Sequence, residues 1–470
     1  MVADVYDLVV IGSGPAGEKG ALTAAVFGKK VALVEKSALV GGAVANTGTL
    51  PSKTLRETAL ALSGFRAREL YGVDLSLGRE ATVADFMHHE KIVTSNERRR
   101  IHHYLDHEHV TLIQGQASFV DAHTLRVKGQ NGERTLRGGT ILVATGSSPF
   151  RPPEFAFADD RICDSDQILH LARMPKTMVI VGAGVIGSEY ACTFAALGTK
   201  VQLVDGRDRL LPVLDREVSS TLARAMHDLG IVFHWNERVA ACDAPRKDGD
   251  VTLRLSSGAM LTADTVLVAA GRTSNTEALG LEAAGVTLGK RGLIPVDANY
   301  RTNLPSIYAV GDVIGAPALA ATGVEQARVA MSHAFDLGFK SEVSPILPYG
   351  IYTIPEVSMA GETEESLREK KLDYVAGKAL YRENARGEII GDRIGFLKLL
   401  FRRSDMRLLG IHVIGEQASE LIHVGLAALI MNAGWDLFHR ICFNYPTLGV
   451  MYQRAAYAAA GARERNASDL

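Results

Sequence analysis

Two glycine-rich turns, each set between an apolar run and a helix-like stretch, restrict this chain to a doubled nucleotide-binding architecture. Asp7-Leu8-Val9-Val10-Ile11 leads into Gly12-Ser13-Gly14-Pro15-Ala16-Gly17, a helical pattern from Glu18 to Phe27, and a second apolar run, Val31 to Val34, that ends in Glu35. Met178-Val179-Ile180-Val181 leads into Gly182-Ala183-Gly184-Val185-Ile186-Gly187, a helix-like stretch to Leu197, and Val201 to Val204 ending in Asp205. Gly182 follows Gly12, Gly184 follows Gly14, Gly187 follows Gly17 and Asp205 follows Glu35 at one constant interval of 170 residues. A stray GxGxxG would not bring its strands and its acid into the same register. In each unit the first glycine makes the tight turn and the second lets backbone approach a pyrophosphate. The third lets the helix pack close to the strand. The phosphates meet free N–H groups and the positive end of the helix dipole. The acid at the end of the next strand accepts from ribose hydroxyls.

Three later segments extend the pattern. Thr140 to Gly146 and Thr265 to Gly271-Arg272 read as late strands ending beside a cofactor, and Ile307-Tyr308-Ala309-Val310-Gly311-Asp312 as a strand ending in Gly-Asp. At 470 residues the chain exceeds one core, and three domains of ordinary size are expected. A formal net charge of −2 offers no concentrated basic surface for a nucleic acid. Cys163, Cys192, Cys242 and Cys442 are far apart, so neither a redox dithiol nor a zinc spacing is present, and the sparse usage points to a reducing cytoplasm. The apolar runs are short and glycine-broken, so no membrane span is expected, nor is a secretory signal.

The stretch Gly41-Gly42-Ala43-Val44-Ala45-Asn46-Thr47-Gly48-Thr49-Leu50-Pro51-Ser52-Lys53 resembles the redox loop GGxCxNxGCxPSK of the FAD-dependent pyridine nucleotide-disulfide oxidoreductases. Val44 and Thr49 stand where that family carries its two cysteines. Only a thiolate attacks a disulfide, so the loop is present without its sulfur chemistry. The family's C-terminal HPTxxE motif, which supplies a His–Glu pair from the partner subunit, is here Tyr445-Pro446-Thr447-Leu448-Gly449-Val450. A phenol with an ordinary pKa near 10 is a poor proton shuttle at neutral pH. The loss of the dithiol and the loss of its acid–base agree with each other. Phe443 to Thr447, the loop with Thr49, Gly311 to Gly315 and Gly350 to Glu356 are similar to the soluble pyridine nucleotide transhydrogenase branch of the family. Val44 departs from that branch, in which the first cysteine usually remains.

The resemblance implies an α/β fold: two Rossmann-like, doubly wound, three-layer nucleotide-binding domains and an α+β dimerisation domain. The FAD domain is expected over residues 1–150 and 271–345, the NAD(P) domain over 151–270, and the dimerisation domain over 346–470. It also implies one FAD per subunit, with NAD(H) and NADP(H) as substrates. The catalytic positions carried over are Lys53, Glu189, Thr49 and Tyr445, with Lys53 near flavin N5 and paired to Glu189. Cofactor-binding positions are Gly12, Gly14, Gly17, Glu35, Gly42, Thr47, Lys53, Gly146, Gly182, Gly184, Gly187, Asp205, Arg207, Gly271, Arg272, Gly311, Asp312, Leu319 and Ala320. Asp312 would hold the ribityl chain, and Val185, where some members carry a gating Tyr, would leave the nicotinamide pocket open. No metal is expected.

The resulting expectation is a cytoplasmic homodimer, open to higher association, that exchanges hydride between NADPH and NAD⁺ through the flavin and reduces no disulfide. The rivals are an NAD(P)H:quinone or dye reductase and a non-catalytic flavoprotein. For nucleotide preference, Asp205 favours NAD(H), whereas Arg207 and Arg209 suit a 2′-phosphate. A solvated loop in which Asp208 neutralises the arginines is the alternative. Six of the fourteen histidines fall between His88 and His109, among Arg98, Arg99 and Arg100, and read as part of a long charged helix beside the FAD domain.

Overall fold

The computed structural model describes residues 3–64, 82–130, 132–244 and 249–468. The chain divides into two compact units, one of residues 1–54, 87–150 and 271–343, the other of residues 55–86, 151–270 and 344–470.

The first unit is built on β1 (Asp4–Ile11), whose last four residues are all buried. Such an unbroken apolar run suits a strand covered on both faces. Helix α1 (Pro15–Val26) starts one residue past its Gly14 N-cap, with Pro15 as its first residue, where a missing N–H costs nothing. Then come β2 (Val31–Glu35), the short α2 (Gly42–Asn46), α3 (Thr49–Leu62), which passes into the second unit after residue 54, and the charged α4 (Val83–His107), which rejoins the first at residue 87. β3 (Thr111–Gln114), β4 (Gln116–Phe119), β5 (Thr124–Gly129), β6 (Gly132–Val143) and β7 (Ser147–Pro149) follow. The sheet runs β3-β2-β1-β6-β5-β4, parallel from β3 to β6 and antiparallel beyond. Ile11 pairs with both Val34 and Val143, so the C-terminal ends of three strands meet at one edge. Val9, Ile11, Val34, Ile141 and Val143 enter one apolar core, and Leu8, Val10, Leu33 and Leu142 enter another with α1. That period-two division makes the three layers, and each fully buried Leu or Val contributes about 1.5–3 kcal/mol.

In the second unit, β8 (Ile162–Asp164), β9 (Thr177–Val181), α5 (Val185–Ala196), β10 (Lys200–Asp205), α6 (Arg216–Asp228) and β11 (Val232–Trp235) precede a three-stranded antiparallel sheet. That sheet is β12 (Val239–Asp243), β13 (Val251–Leu255) and β14 (Met260–Ala263), after which comes β15 (Thr265–Val268). The parallel sheet has the order β11-β10-β9-β15-β8. Gly187 to Ala195 of α5 are all buried, as a helix apolar all round must be.

The chain then returns to the first unit. β16 (Arg272–Ser274) pairs antiparallel with β7, α7 (Leu281–Ala284) follows, β17 (Ile307–Ala309) adds to β6 in parallel, and α8 (Ala320–Ala334) packs on α1. The C-terminal part of the second unit is an antiparallel sheet of β18 (Tyr349–Ile351), β19 (Val357–Gly361), β20 (Tyr374–Leu380), β21 (Phe396–Arg402) and β22 (Leu408–Ile414), with α9 (Glu364–Glu369) and α10 (Ala385–Ile389) between strands. α11 (Ala418–Ile430), α12 (Trp435–Arg440) and α13 (Val450–Ser468) follow, α11 packing on β19 and β22 and α13 on β20 and β21. The late strand read from Thr140 to Gly146 is the end of the longer β6, which stops at Val143.

Candidate nucleotide sites

Both glycine turns fold alike, each within its own unit. Gly12 and Gly182 sit at φ of +102° and +105°, the left-handed region that favours glycine. A Cβ on Gly17 would collide with the Gly12 carbonyl oxygen, and one on Gly187 with that of Gly182, so each third glycine lets the helix close on its own turn. Around Gly184 a Cβ would meet nothing within 4 Å, which leaves room for a pyrophosphate at the start of α5. In the first unit Gly14 lies against Gly42, whose Cβ would come within 2.8 Å of the Gly14 Cα. The close approach exists because Gly42 lacks a side chain; a Cβ on Gly14 would lie an ordinary 3.9 Å from the Gly42 Cα.

The acids close each turn from the neighbouring strand. Glu35 Oε2 accepts from the Ser13 backbone N–H at 2.9 Å and its hydroxyl at 2.7 Å, and Oε1 accepts from Ser37 N–H. Asp205 Oδ2 accepts from Ala183 N–H at 2.6 Å. Asp205 is also gripped by Arg207, whose Nε reaches Oδ1 at 2.7 Å and whose second guanidinium nitrogen reaches Oδ2 at 2.6 Å. Burial opposes ionisation of Asp205, but the Arg207 side chain and backbone bonds outweigh it and hold the carboxyl below its usual range. Arg207 is thus neutralised by Asp205 and not by Asp208, while Arg209 donates to the Pro212 carbonyl.

At the far end of the first unit, Ser147 Oγ donates to Asp312 Oδ2 at 2.6 Å. The Arg272 guanidinium donates to both Ser147 Oγ and the Ser147 carbonyl, at 2.8 and 2.7 Å. Gly311 N–H donates to Gln326 Oε1, and Asn275 and Thr145 exchange two bonds across the strands on either side of Gly146. A Cβ on Gly146 or Gly271 would meet nothing within 4 Å. Leu319 caps α8, which begins at Ala320.

The turn that lacks sulfur is ordered. Ala43 carbonyl accepts from Thr47 and Gly48 N–H, and Asn46 Nδ2 donates to the Val40 and Gly42 carbonyls. Val44 is half-buried and Thr49 exposed, and Lys53 lies in α3 with its ammonium 3.3 Å from Ser52 Oγ. Glu189, in the other unit, accepts from Tyr352 N–H at 2.9 Å. Cys163, Cys192 and Cys242 do not replace the missing pair, since burial pushes the first two thiols up to about 12 and Cys242 to about 11; Cys442 is exposed and forms no disulfide. Tyr445 is 74% exposed.

Among the described residues, the carboxylates that converge closely enough for a metal ion are Asp215, Glu217 and Glu364. The Lys398 ammonium already occupies their centre, 2.9 Å from Asp215 and 3.2 Å from Glu217 and bonded to Glu364. The histidines of α4 form no such group there.

Sequence reasoning missed Ser147, Gln326 and Arg238. Arg238 follows β11, the strand beside β10, and its guanidinium lies against Gly206. The rule that ligands lie beyond the carboxyl ends of parallel strands was the available signal.

A glycine turn and strand-end acid in each of two units define an oxidoreductase class built to hold two dinucleotides. The chain belongs to the pyridine nucleotide-disulphide oxidoreductase family: that family's model matches residues 6–334, and the family's dimerisation domain matches residues 347–456. Similar relatives are the soluble pyridine nucleotide transhydrogenases of Mycobacterium tuberculosis (strain ATCC 25177 / H37Ra), 45% identical over 96% of each chain, and of Chromohalobacter salexigens, 41% identical over 97% of this chain and 98% of the relative. Among solved structures, LpdA from Mycobacterium tuberculosis aligns with a TM-score of 0.89 at 26% identity, covering 97% and 99% of the two chains. The HOCl-induced flavoprotein disulfide reductase RclA from Escherichia coli aligns with 0.87 at 27% identity, covering 96% and 99%. Among the described residues no helix is long and apolar enough to cross a membrane.

Proposed function

We propose that this protein is an FAD-dependent transhydrogenase that passes hydride between NADPH and NAD⁺ and reduces no disulfide. The observation that carries the reading is the ordered turn from Gly41 to Lys53 with Val44 and Thr49 at the places of the cysteines. A chain that keeps both nucleotide cradles but no thiol pair can pass electrons on only from the flavin itself. The 41–45% identity to relatives named soluble pyridine nucleotide transhydrogenase supports the same direction.

We assign residues 1–150 and 271–345 to FAD binding, 151–270 to NAD(P) binding and 346–470 to a dimer interface, in a cytoplasmic homodimer. Bound FAD supplies a hydride-accepting and hydride-donating ring. Gly12, Gly14 and Gly17 cradle its pyrophosphate, Glu35 orients the adenosine ribose, and Asp312, set by Ser147, takes the ribityl chain. Gly42, Thr47, Gly146, Gly271, Arg272, Gly311, Leu319 and Ala320 complete that site. Lys53 places a cation beside the ring, where developing negative charge is stabilised, and Glu189 is its partner. Thr49 and Tyr445 occupy catalytic positions of the family without acid–base duty. Gly182, Gly184 and Gly187 hold each nicotinamide nucleotide in turn, with Asp205 at the ribose end of the same site, so the kinetics are ping-pong.

The test is anaerobic. NADPH should bleach the yellow holoenzyme and NAD⁺ should restore its colour. Bleaching that only a quinone reverses would replace this reading with a quinone reductase; no bleaching would make the protein a non-catalytic flavoprotein.

A further inference from the structure

Asp205 receives four donors: Ala183 N–H, Arg207 N–H, and two nitrogens of the Arg207 guanidinium. A carboxylate offers about four lone-pair sites, so this one is saturated. It has no acceptor left for ribose hydroxyls while Arg207 stays, and its charge is masked for as long as it does. The Arg207 side chain is 43% exposed and can leave. A second cation stands beside the pair. Glu237 N–H donates to the Asp205 carbonyl at 3.1 Å and Asn236 N–H to the Arg207 carbonyl at 3.0 Å, which stitches the loop after β11 to the loop after β10. That stitching brings Arg238 over Gly206, where a Cβ would lie 3.2 Å from the Arg238 Nε. Glu237 forms no ion pair with it, and the Glu237 carboxylate accepts instead from Ser256 Oγ and Ser257 N–H. Among the described residues no carboxylate forms an ion pair with Arg238, whereas Arg207 spends its charge on Asp205.

The geometry points to Arg238 as the residue that takes the 2′-phosphate of NADPH, with the Asp205–Arg207 pair as the element that lets one site accept both nucleotides. With NADPH, Arg207 remains on Asp205 and hides the charge that would repel the phosphate, and Arg238 supplies the uncompensated guanidinium. With NADH, the two ribose hydroxyls displace the Arg207 side chain and donate to Asp205. The inference rests on the pyridine-nucleotide reading above and adds which side chain recognises which substrate.

The experiment measures binding of 2′,5′-ADP and of 5′-AMP to the FAD-loaded dimer by calorimetry, probes that differ only by the phosphate in question. In Arg238→Gln, 2′,5′-ADP should bind about tenfold more weakly and 5′-AMP unchanged. Arg238→Lys, which keeps the charge, should recover most of the loss. Arg207→Gln, with Asp205 unmasked, should also weaken 2′,5′-ADP while preserving or tightening 5′-AMP. Equal losses for both probes in Arg238→Gln, or no loss for either, would overturn the assignment and leave the transhydrogenase reading intact. Wild-type holoenzyme that binds neither probe would overturn both.

Discussion

The hydroxyl of Ser147 donates to Asp312 across 2.6 Å and is itself held by Arg272, so two side chains from two other segments fix one carboxylate. Ser147→Ala removes the donor that aims Asp312 and leaves Arg272 with only the backbone carbonyl. We expect FAD to dissociate about tenfold more readily, since a hydrogen bond to a charged group contributes about 1.5–3 kcal/mol. Flavin fluorescence released on dilution measures it, and retention equal to wild type would remove Ser147 from the argument.

The sulfur-free turn predicts a silent thiol assay. Holoenzyme reduced by NADPH and denatured anaerobically should show the same number of titratable thiols as oxidised enzyme. Two additional thiols after reduction would mean that a disulfide is reduced, and the hydride-only reading would fall.

Arg56, buried in α3, donates to the Thr353 carbonyl at 3.0 Å and lies 3.7 Å from Glu356, which also accepts from Ser419. Arg56→Met would strand the buried Glu356 charge. Breaking such a pair costs about 3–5 kcal/mol, so a melting temperature within a degree of wild type would contradict the expectation. The double variant Arg56→Met with Glu356→Gln should regain part of the loss.

His412 is wholly buried in β22 with Nε2 bonded to the Glu362 carbonyl and no partner for Nδ1, an arrangement for the neutral ring. Burial lowers its pKa from 6.5; Asp215, the Glu362 carbonyl and Glu365 pull the other way, and Lys398 adds to the lowering. The folded state therefore binds fewer protons than the unfolded one once the pH falls below about 6.5. Stability should decline through that window on acidification. His412→Gln should flatten this part of the pH–stability curve, and an unchanged slope would count against the neutral ring.

Much of the architecture was legible because it is local. Unbroken apolar runs, glycine turns and strand-end acids at a fixed interval mark both parallel sheets, and the structure places them as elements within a few residues. The polar network of the C-terminal sheet was not legible. Lys398 meets Asp215 across 183 residues of sequence, and Arg56 meets Thr353 across 297. The one hint was a charged residue inside the apolar run Phe396-Leu397-Lys398-Leu399-Leu400-Phe401. Arg207 illustrates the other limit: its type suggests a phosphate ligand, but only the folded loop shows the side chain turned back onto Asp205.

Val44 and Thr49 have an outcome beyond substrate choice. A thiolate beside the ring is open to stepwise oxidation to sulfenic, sulfinic and sulfonic acids, and this turn presents a hydrocarbon and an alcohol instead. Nucleotide exchange here should persist through oxidant doses that silence a thiol-bearing counterpart, keeping reducing equivalents in circulation when they are most in demand.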